Sequence, residues 1–271
     1  MSGGGEVPAG TYTIGDNESE YSEEKPRQVP IRQPYRLARY PVTYAQFQCF
    51  VEAPDFGEER WWAGMPVEGE ACGQNYRLQE MSEQFFPFDN HPCENVSWYQ
   101  AMAFARWLTA RLHAGVLAAG ALTGDVRQYE ITLPHEYEWE VAARWPNSDV
   151  AGRLYPWGPE FDAAKANTYE GDRVGQTTAV GMYPAGQNAA LGLHDLSGNV
   201  LEWCRNKYED PGDEAADDSG DQRVLRGGSW AGPTGAARAA YHVGNFPAAR
   251  FVNFGFRLVV VGGGDASSPI S

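Results

Sequence analysis

The residue types that most often do chemistry are scattered along this sequence of 271 residues. Its cysteines are widely spaced, at Cys49, Cys72, Cys93 and Cys204. Because no two of them form a CxxC pair, their spacing predicts neither a zinc site nor a dithiol redox centre. In a reducing compartment such cysteines are most often buried apolar residues, and we expect that role here.

The histidines and serines give no catalytic pattern either. The histidines stand alone, at His91, His113, His135, His194 and His242. We expect structural or surface roles for them, because none has a partner at metal-site spacing. Ser229 follows two glycines but lacks the G-x-S-x-G pattern, and no phosphate-binding or dinucleotide-binding glycine motif occurs. These residues therefore predict no enzyme.

The elements that would position side chains are short and interrupted by many glycines and prolines, 31 and 18 respectively. Residues 10–15 are β-branched and aromatic and predict a strand. Thr43 with Gln46, and Ser97 with Gln100, each fit a capping box and predict helix starts. The second of these helices is expected from about Trp98 to His113, and residues 133–144 predict a third helix. Residues 53–90 are interpreted as a long ordered excursion.

Three blocks in the C-terminal third carry a resemblance to a known family. They read LSGNVLEW from Leu196, RVLRGGSW from Arg223 and NFGFRLV from Asn253. They resemble the core signature of the formylglycine-generating-enzyme type of C-type-lectin fold, and further blocks follow in the family's order. The resemblance implies an α+β, loop-rich fold with few helices and short antiparallel strands. We expect a single domain over residues 1–261 and a disordered tail over 262–271.

The family's oxidases use two cysteines that follow the Arg-Gly-Gly-Ser-aromatic block and suit copper(I). Here those places fall at Gly232 and at Ala236 or Ala237, and residues 231–271 contain no cysteine. A sulfoxide synthase of this fold would need histidine-ligated iron, which the isolated histidines do not suggest. The sequence therefore predicts no catalytic residue, no copper, no iron and no enzymatic activity.

The resemblance also implies a calcium site at Asn167, Asn199 and Glu202, whose oxygens would suit this hard cation. An alternative comes from the residues themselves. In that alternative Asn199 is a turn residue after Gly198, and Glu202 pairs with an arginine such as Arg226. Both interpretations stay open at this point.

Residues 231–254 have neither helical nor strand periodicity, although well-patterned blocks flank them. Their frame residues Pro233, Arg238, Ala239, Pro247 and Arg250 resemble the fixed positions of variable proteins of diversity-generating retroelements. In such systems adenines of asparagine codons are randomised, which cannot produce Met, Trp, Gln, Lys or Glu. None of these five types occurs between Ala231 and Phe254. The chain is thus identified as a diversified, non-catalytic ligand-binding protein.

The expected ligand-binding positions lie between the frame residues. A surface that varies must not be needed by the scaffold beneath it, and loops on a packed core meet that condition. The predicted variable residues are Ala231, Gly232, Thr234, Gly235, Tyr241, His242, Val243, Gly244, Asn245, Phe246, Phe251, Val252 and Asn253. Two alternatives stay open: an oxidase or sulfoxide synthase relative with displaced catalytic residues, and an undiversified binding domain of the same fold.

Charge and composition limit the partners. A formal net charge of -15, without a run of basic residues, disfavours nucleic acid and anionic membrane surfaces. Neither a signal-peptide pattern nor an apolar run long enough to cross a bilayer occurs, so a cytoplasmic monomer is expected. Its partner would be a protein or small-molecule ligand at the variable surface.

Overall fold

The computed structural model describes residues 5–18, 24–66, 68–69, 74–75, 84–120, 122–148, 152–170 and 174–262. Its α-helices are α1 (Tyr44–Val51), α2 (Glu59–Trp62), α3 (Trp98–His113) and α4 (Glu136–Ala143). The strands are β1 (Gly10–Ile14), β2 (Arg27–Ile31), β3 (Tyr35–Leu37), β4 (Glu68–Gly69), β5 (Gln74–Asn75), β6 (Tyr129–Thr132), β7 (Leu201–Lys207), β8 (Arg223–Arg226), β9 (His242–Asn245), β10 (Phe254–Gly255) and β11 (Val259–Gly262). No α-helix of this part of the chain is both long enough and apolar enough to cross a membrane.

Two small sheets position the C-terminal blocks. The larger has the order β10-β7-β8-β9, and a second sheet has the order β3-β11-β6. The β10–β7 pair is parallel, whereas β7–β8 and β8–β9 are antiparallel. The predicted α+β fold with few helices and short strands is confirmed, with this one parallel pair as a departure.

Local sequence signals set the helix ends. Both reciprocal bonds of the capping box form at Thr43 with Gln46 and at Ser97 with Gln100. The helix predicted over Trp98 to His113 has those bounds in the structure. Helix α4 is shorter than residues 133–144, because His135 caps it by accepting a hydrogen bond from the Tyr137 amide.

The core consists of one aromatic-rich cluster and one mainly aliphatic cluster. In one, Phe47, Phe104 and Phe256 have ring centroids within 5.3 to 5.8 Å of each other. In the other, Trp139 packs with apolar residues of the 3-stranded sheet. Cys93 and Cys204 are fully buried, as predicted, but Cys49 is exposed, because it lies on the outer side of α1. Cys72 lies outside the described residues.

Strand β11 continues through Gly262, so the tail predicted from 262 begins at least one residue later; residues 263–271 lie outside the described part. Within the 53–90 excursion, described residues include the short helix α2, in which Trp61 and Trp62 are buried.

Candidate functional site

A buried charge network lies beneath the C-terminal segment. Arg226 of β8 donates to Glu136 at 2.6 Å and to Glu140 at 3.0 Å, both on α4. All three side chains are 1% exposed. Burial raises the pKa of Glu136, but the charges of Arg226 and His242 outweigh burial and hold this pKa well below its usual range. The network therefore ties β8 firmly to α4.

Glu202 is engaged in a second buried ion pair. Arg257 donates to both of its carboxylate oxygens, at 2.6 and 2.7 Å, and the Trp139 indole donates at 2.6 Å. Its partner is thus Arg257 and not Arg226, which lies opposite Glu202 as a backbone neighbour across β7 and β8. Both carboxylate oxygens of Glu202 therefore accept from a charged donor, and its part in a calcium site stays a prediction.

Asn167 and Asn199 are brought together, as the resemblance implied. The Asn199 side chain exchanges two hydrogen bonds with the Thr178 backbone. The backbone amide of Asn199 also donates to the backbone carbonyl of Asn167 at 2.9 Å. Asn199 has a φ of 67°, so the predicted turn role is present. Calcium binding at this pair stays a prediction.

Three of the five frame residues of segment 231–254 contact the scaffold beneath it. The Arg238 guanidinium donates to both oxygens of the Asp16 carboxylate at 2.7 Å and to Glu24 at 3.0 Å. Ala239 is fully buried, and the Trp98 amide donates to the carbonyl of buried Pro247. Arg238, Ala239 and Pro247 are therefore anchored to the scaffold, whereas Pro233 is exposed and Arg250 is half-buried.

Three positions predicted to vary are turned inward. Strand β9 pairs with β8 along His242–Asn245. His242 places Nδ1 2.8 Å from Glu136, and its side chain is only 8% exposed. Val243 packs against the core. A Cβ on Gly244 would lie 2.6 Å from the Tyr208 ring, closer than real Cβ contacts. Pairing with β8 directs these three residues towards the scaffold, and a ligand-binding role for them stays a prediction.

Other predicted positions face outward. Phe246 and Phe251 are 59% and 51% exposed. Ala231 and Gly235 are exposed, and an added Cβ at Gly235 would meet nothing within 4 Å. The half-buried remainder comprises Gly232, Thr234, Tyr241, Asn245, Val252 and Asn253. We call Ala231, Gly235, Phe246 and Phe251 the outward positions.

Trp230 links this segment to a part of the surface that the sequence did not indicate. Its ring meets Phe86 edge-on at a centroid distance of 5.8 Å, and its indole donates to the Val252 carbonyl. Trp230 is half-buried. Next to it, the Tyr169 amide donates to the Gly232 carbonyl.

Exposed aromatic residues lie on the chain segments that contact Trp230 and its neighbours. Phe85 and Phe88 are 62% and 50% exposed, and Tyr169 is 51% exposed. The Asn95 amide donates to the Phe251 carbonyl, and the Glu94 carboxylate accepts from the Phe85 and Phe86 amides, which holds this stretch beside Phe251. We call Phe85, Phe88, Tyr169, Trp230 and Phe251 the aromatic rim.

The positions of the family's catalytic cysteines are also visible. Gly232 is half-buried, whereas Ala236 and Ala237 are buried. None of these side chains can hold copper. Among the residues that the structure describes, no group of three His, Cys, Asp or Glu side chains could hold a metal ion.

Comparison with known proteins matches residues 6–261 to the family described as Sulfatase-modifying factor enzyme 1-like domain. Hercynine oxygenase of Mycolicibacterium thermoresistibile is 29% identical over 90% of this chain and 55% of its own length. Inactive C-alpha-formylglycine-generating enzyme 2 of Bos taurus is 30% identical over 93% of this chain and 86% of its own. Treponema denticola variable protein 1 superposes with a TM-score of 0.64 at 24% identity, over 95% of this chain and 94% of its own.

These matches correct one prediction. The expectation of a chain without enzymatic activity is contradicted, because relatives that match nine tenths of it are named as oxygenases. The chain spans a little over half the length of those oxygenases. The family match covers nearly the whole chain and agrees with the blocks around Gly198, Gly227 and Gly255. This chain therefore belongs to the sulfatase-modifying factor enzyme 1-like family, the formylglycine-generating-enzyme type of fold.

Proposed function

We propose that this chain is a variable protein of a diversity-generating retroelement, which binds a ligand through the outward positions and the aromatic rim. The observation that carries the proposal is the division of segment 231–254 into anchored frame residues and free positions. Arg238 is held by Asp16 and Glu24, while nothing lies within 4 Å of a Cβ at neighbouring Gly235. Substitution at such positions changes the surface and leaves the scaffold intact.

The rim has the chemistry of a recognition surface. Large exposed aromatic side chains on a folded protein indicate an interaction site more often than an ordinary surface. They supply contact area at a low entropic cost, since only two torsions are fixed on binding. Trp230 would provide a preorganised centre, because Phe86 and the Val252 carbonyl already hold its ring. We expect a ligand that presents apolar or aromatic groups.

The proposal is tested in the DNA beside the gene. A near-repeat of codons 231–254 should follow the stop codon, with adenines at the codons of the outward positions, next to a reverse transcriptase gene. The Gly244 codon should carry no adenine in that repeat, because a side chain there would meet Tyr208. A flanking sequence without any such repeat would contradict diversification.

A second candidate is a catalytic role in oxygenation, which the hercynine oxygenase matches favour. The described residues do not fit a metal centre built by this chain alone, since no three suitable ligands come together among them. In this candidate the chain would contribute the substrate surface, with Trp230 against the substrate.

This candidate is tested by incubating the chain with hercynine, a thiol, iron(II) and oxygen. Mass spectrometry should detect an oxygenated sulfur adduct, and Trp230→Ala should reduce its yield. Absence of the adduct from the folded native chain would reject the candidate.

A further inference from the structure

A cavity of about 440 Å³ opens on a different part of the molecule. It lies between the outer side of α1, the second half of α3 and the 38–43 segment that follows β3. Its volume is within the range of small-molecule sites, roughly 300–1,000 Å³. None of its lining residues belongs to segment 231–254, so it is separate from the surface proposed above.

The walls of this cavity are mainly apolar. Phe104, Trp107 and Leu258 form its base and belong to the core, while Leu108 and Leu117 are half-buried at its sides. Apolar surface left in contact with water costs free energy, about 25 cal/mol per Å², which an apolar ligand would recover. The cavity therefore favours an occupant with a hydrocarbon portion.

One charged side chain contributes to the same wall. The Nε of Arg39 is buried and has no hydrogen-bond partner, and no carboxylate pairs with this guanidinium in the described part of the chain. Arg39 as a whole is half-buried, whereas the buried arginines Arg226 and Arg257 are paired with carboxylates. The charges of Arg39 and Arg257 add to burial in lowering the pKa of nearby His194. An unpaired cation beside apolar walls is complementary to an anion with an apolar tail.

We propose that this cavity binds a small amphipathic monocarboxylate, with its hydrocarbon tail among Leu108, Leu117 and Phe104 and its carboxylate at Arg39. The opposite charge and the donor set of a guanidinium select a carboxylate over an alcohol or an amine. This is a second ligand site and does not depend on diversification.

Cys49 provides a reporter for the site. It is exposed and lines the cavity, whereas Cys93 and Cys204 are fully buried. In a Cys72→Ser background, the rate of Cys49 alkylation is measured with increasing dodecanoate, below its micellar concentration. Dodecan-1-ol and dodecylammonium serve as neutral and cationic controls, and calorimetry gives the Kd.

Two pairs of variants, each a test variant with a matched control, show whether binding depends on Arg39 and on the cavity. Arg39→Gln should weaken dodecanoate binding about tenfold or more, as loss of a charged hydrogen bond does, while Arg36→Gln, which removes the surface pair with Glu6, should not. Leu117→Trp should fill the cavity and abolish protection of Cys49. Val116→Trp, at a neighbouring residue that is 76% exposed and outside the lining, should leave protection unchanged.

The expected result is protection by dodecanoate that is strongest among the three compounds and depends on Arg39. Equal protection by dodecan-1-ol, or none by any compound, would overturn the proposal. Should Arg39→Gln fail to fold, the comparison of the three compounds on the native chain decides the matter by itself.

Discussion

The strand β9 and the turn that follows it lie side by side in one segment, yet they have opposite relations to the scaffold. In β9, His242 bonds to buried Glu136, and Gly244 leaves no space for a side chain beside Tyr208. In the turn, Phe246 and Phe251 are more than half exposed. A segment without periodicity can therefore contain residues that support the fold and residues that are exposed at the surface. The contacts of each residue with neighbouring elements determine to which group it belongs.

The largest expected effect comes from removing the Arg226 guanidinium beneath β9. Arg226→Met should destabilise the fold by about 3–5 kcal/mol, because Glu136 and Glu140 would be left as unpaired buried charges. Arg127→Met is the matched control: Arg127 is 74% exposed and pairs with Asp125 at the surface, where such pairs contribute about 0–1 kcal/mol. Urea unfolding of both variants measures the difference. Equal losses would show that the Arg226 network is not what secures β9.

A second prediction concerns the pH dependence of the scaffold. Burial raises the pKa of Asp195 from 3.8 to about 6, although the Gly181 amide and Arg257 oppose this. A carboxyl whose folded pKa is raised binds more protons when folded, so its contribution to stability falls as pH rises from about 4 to about 6. Relative to Asp195→Asn, the native chain should lose about 3 kcal/mol over that window, since one pKa unit corresponds to about 1.4 kcal/mol.

This prediction is checked by denaturant unfolding at pH 4 and pH 7. A difference between native and Asp195→Asn proteins that stays constant with pH would contradict it. The outward positions serve as the control, because Phe246→Ser should leave the native pH profile unchanged.

The third prediction compares the stability effects of substituting two glycines of the same segment. Gly244→Ala should cost about 1–3 kcal/mol, as overpacking does, because its Cβ would lie 2.6 Å from the Tyr208 ring. Gly235→Ala should change stability by no more than about 0.5 kcal/mol, since its Cβ meets nothing within 4 Å. Thermal unfolding distinguishes the two variants. A tolerated Gly244→Ala would place β9 among the variable positions after all.

Much of the scaffold could be predicted because its signals are local. The capping boxes at Thr43 and Ser97 act within four residues, and their helices begin where the sequence indicated. The three C-terminal blocks likewise form β7, β8 and the β10–β11 region. Such elements are specified by neighbouring residues, so a single sequence is enough to find them.

The site could be predicted only in part, because its geometry depends on distant contacts. His242 lies 106 residues from Glu136, and nothing near either residue indicates their hydrogen bond. The pairing of Glu202 with Arg257, 55 residues away, was foreseen only as a bond to some arginine. The Phe86 ring packs against Trp230, 144 residues further along the chain, and residues 53–90 have no periodicity that predicts this contact. Frame residues were identified by resemblance, and the structure explains their anchoring.

The central claim is that the outward positions can change without loss of the fold, while β9 cannot. The most direct test randomises Ala231, Gly235, Phe246 and Phe251 together in one library, and His242, Val243 and Gly244 in another. The fraction of members that resist proteolysis measures folding in each. We expect most members of the first library to fold and few members of the second library to fold. Similar fractions in the two libraries, or a smaller fraction in the first, would contradict it.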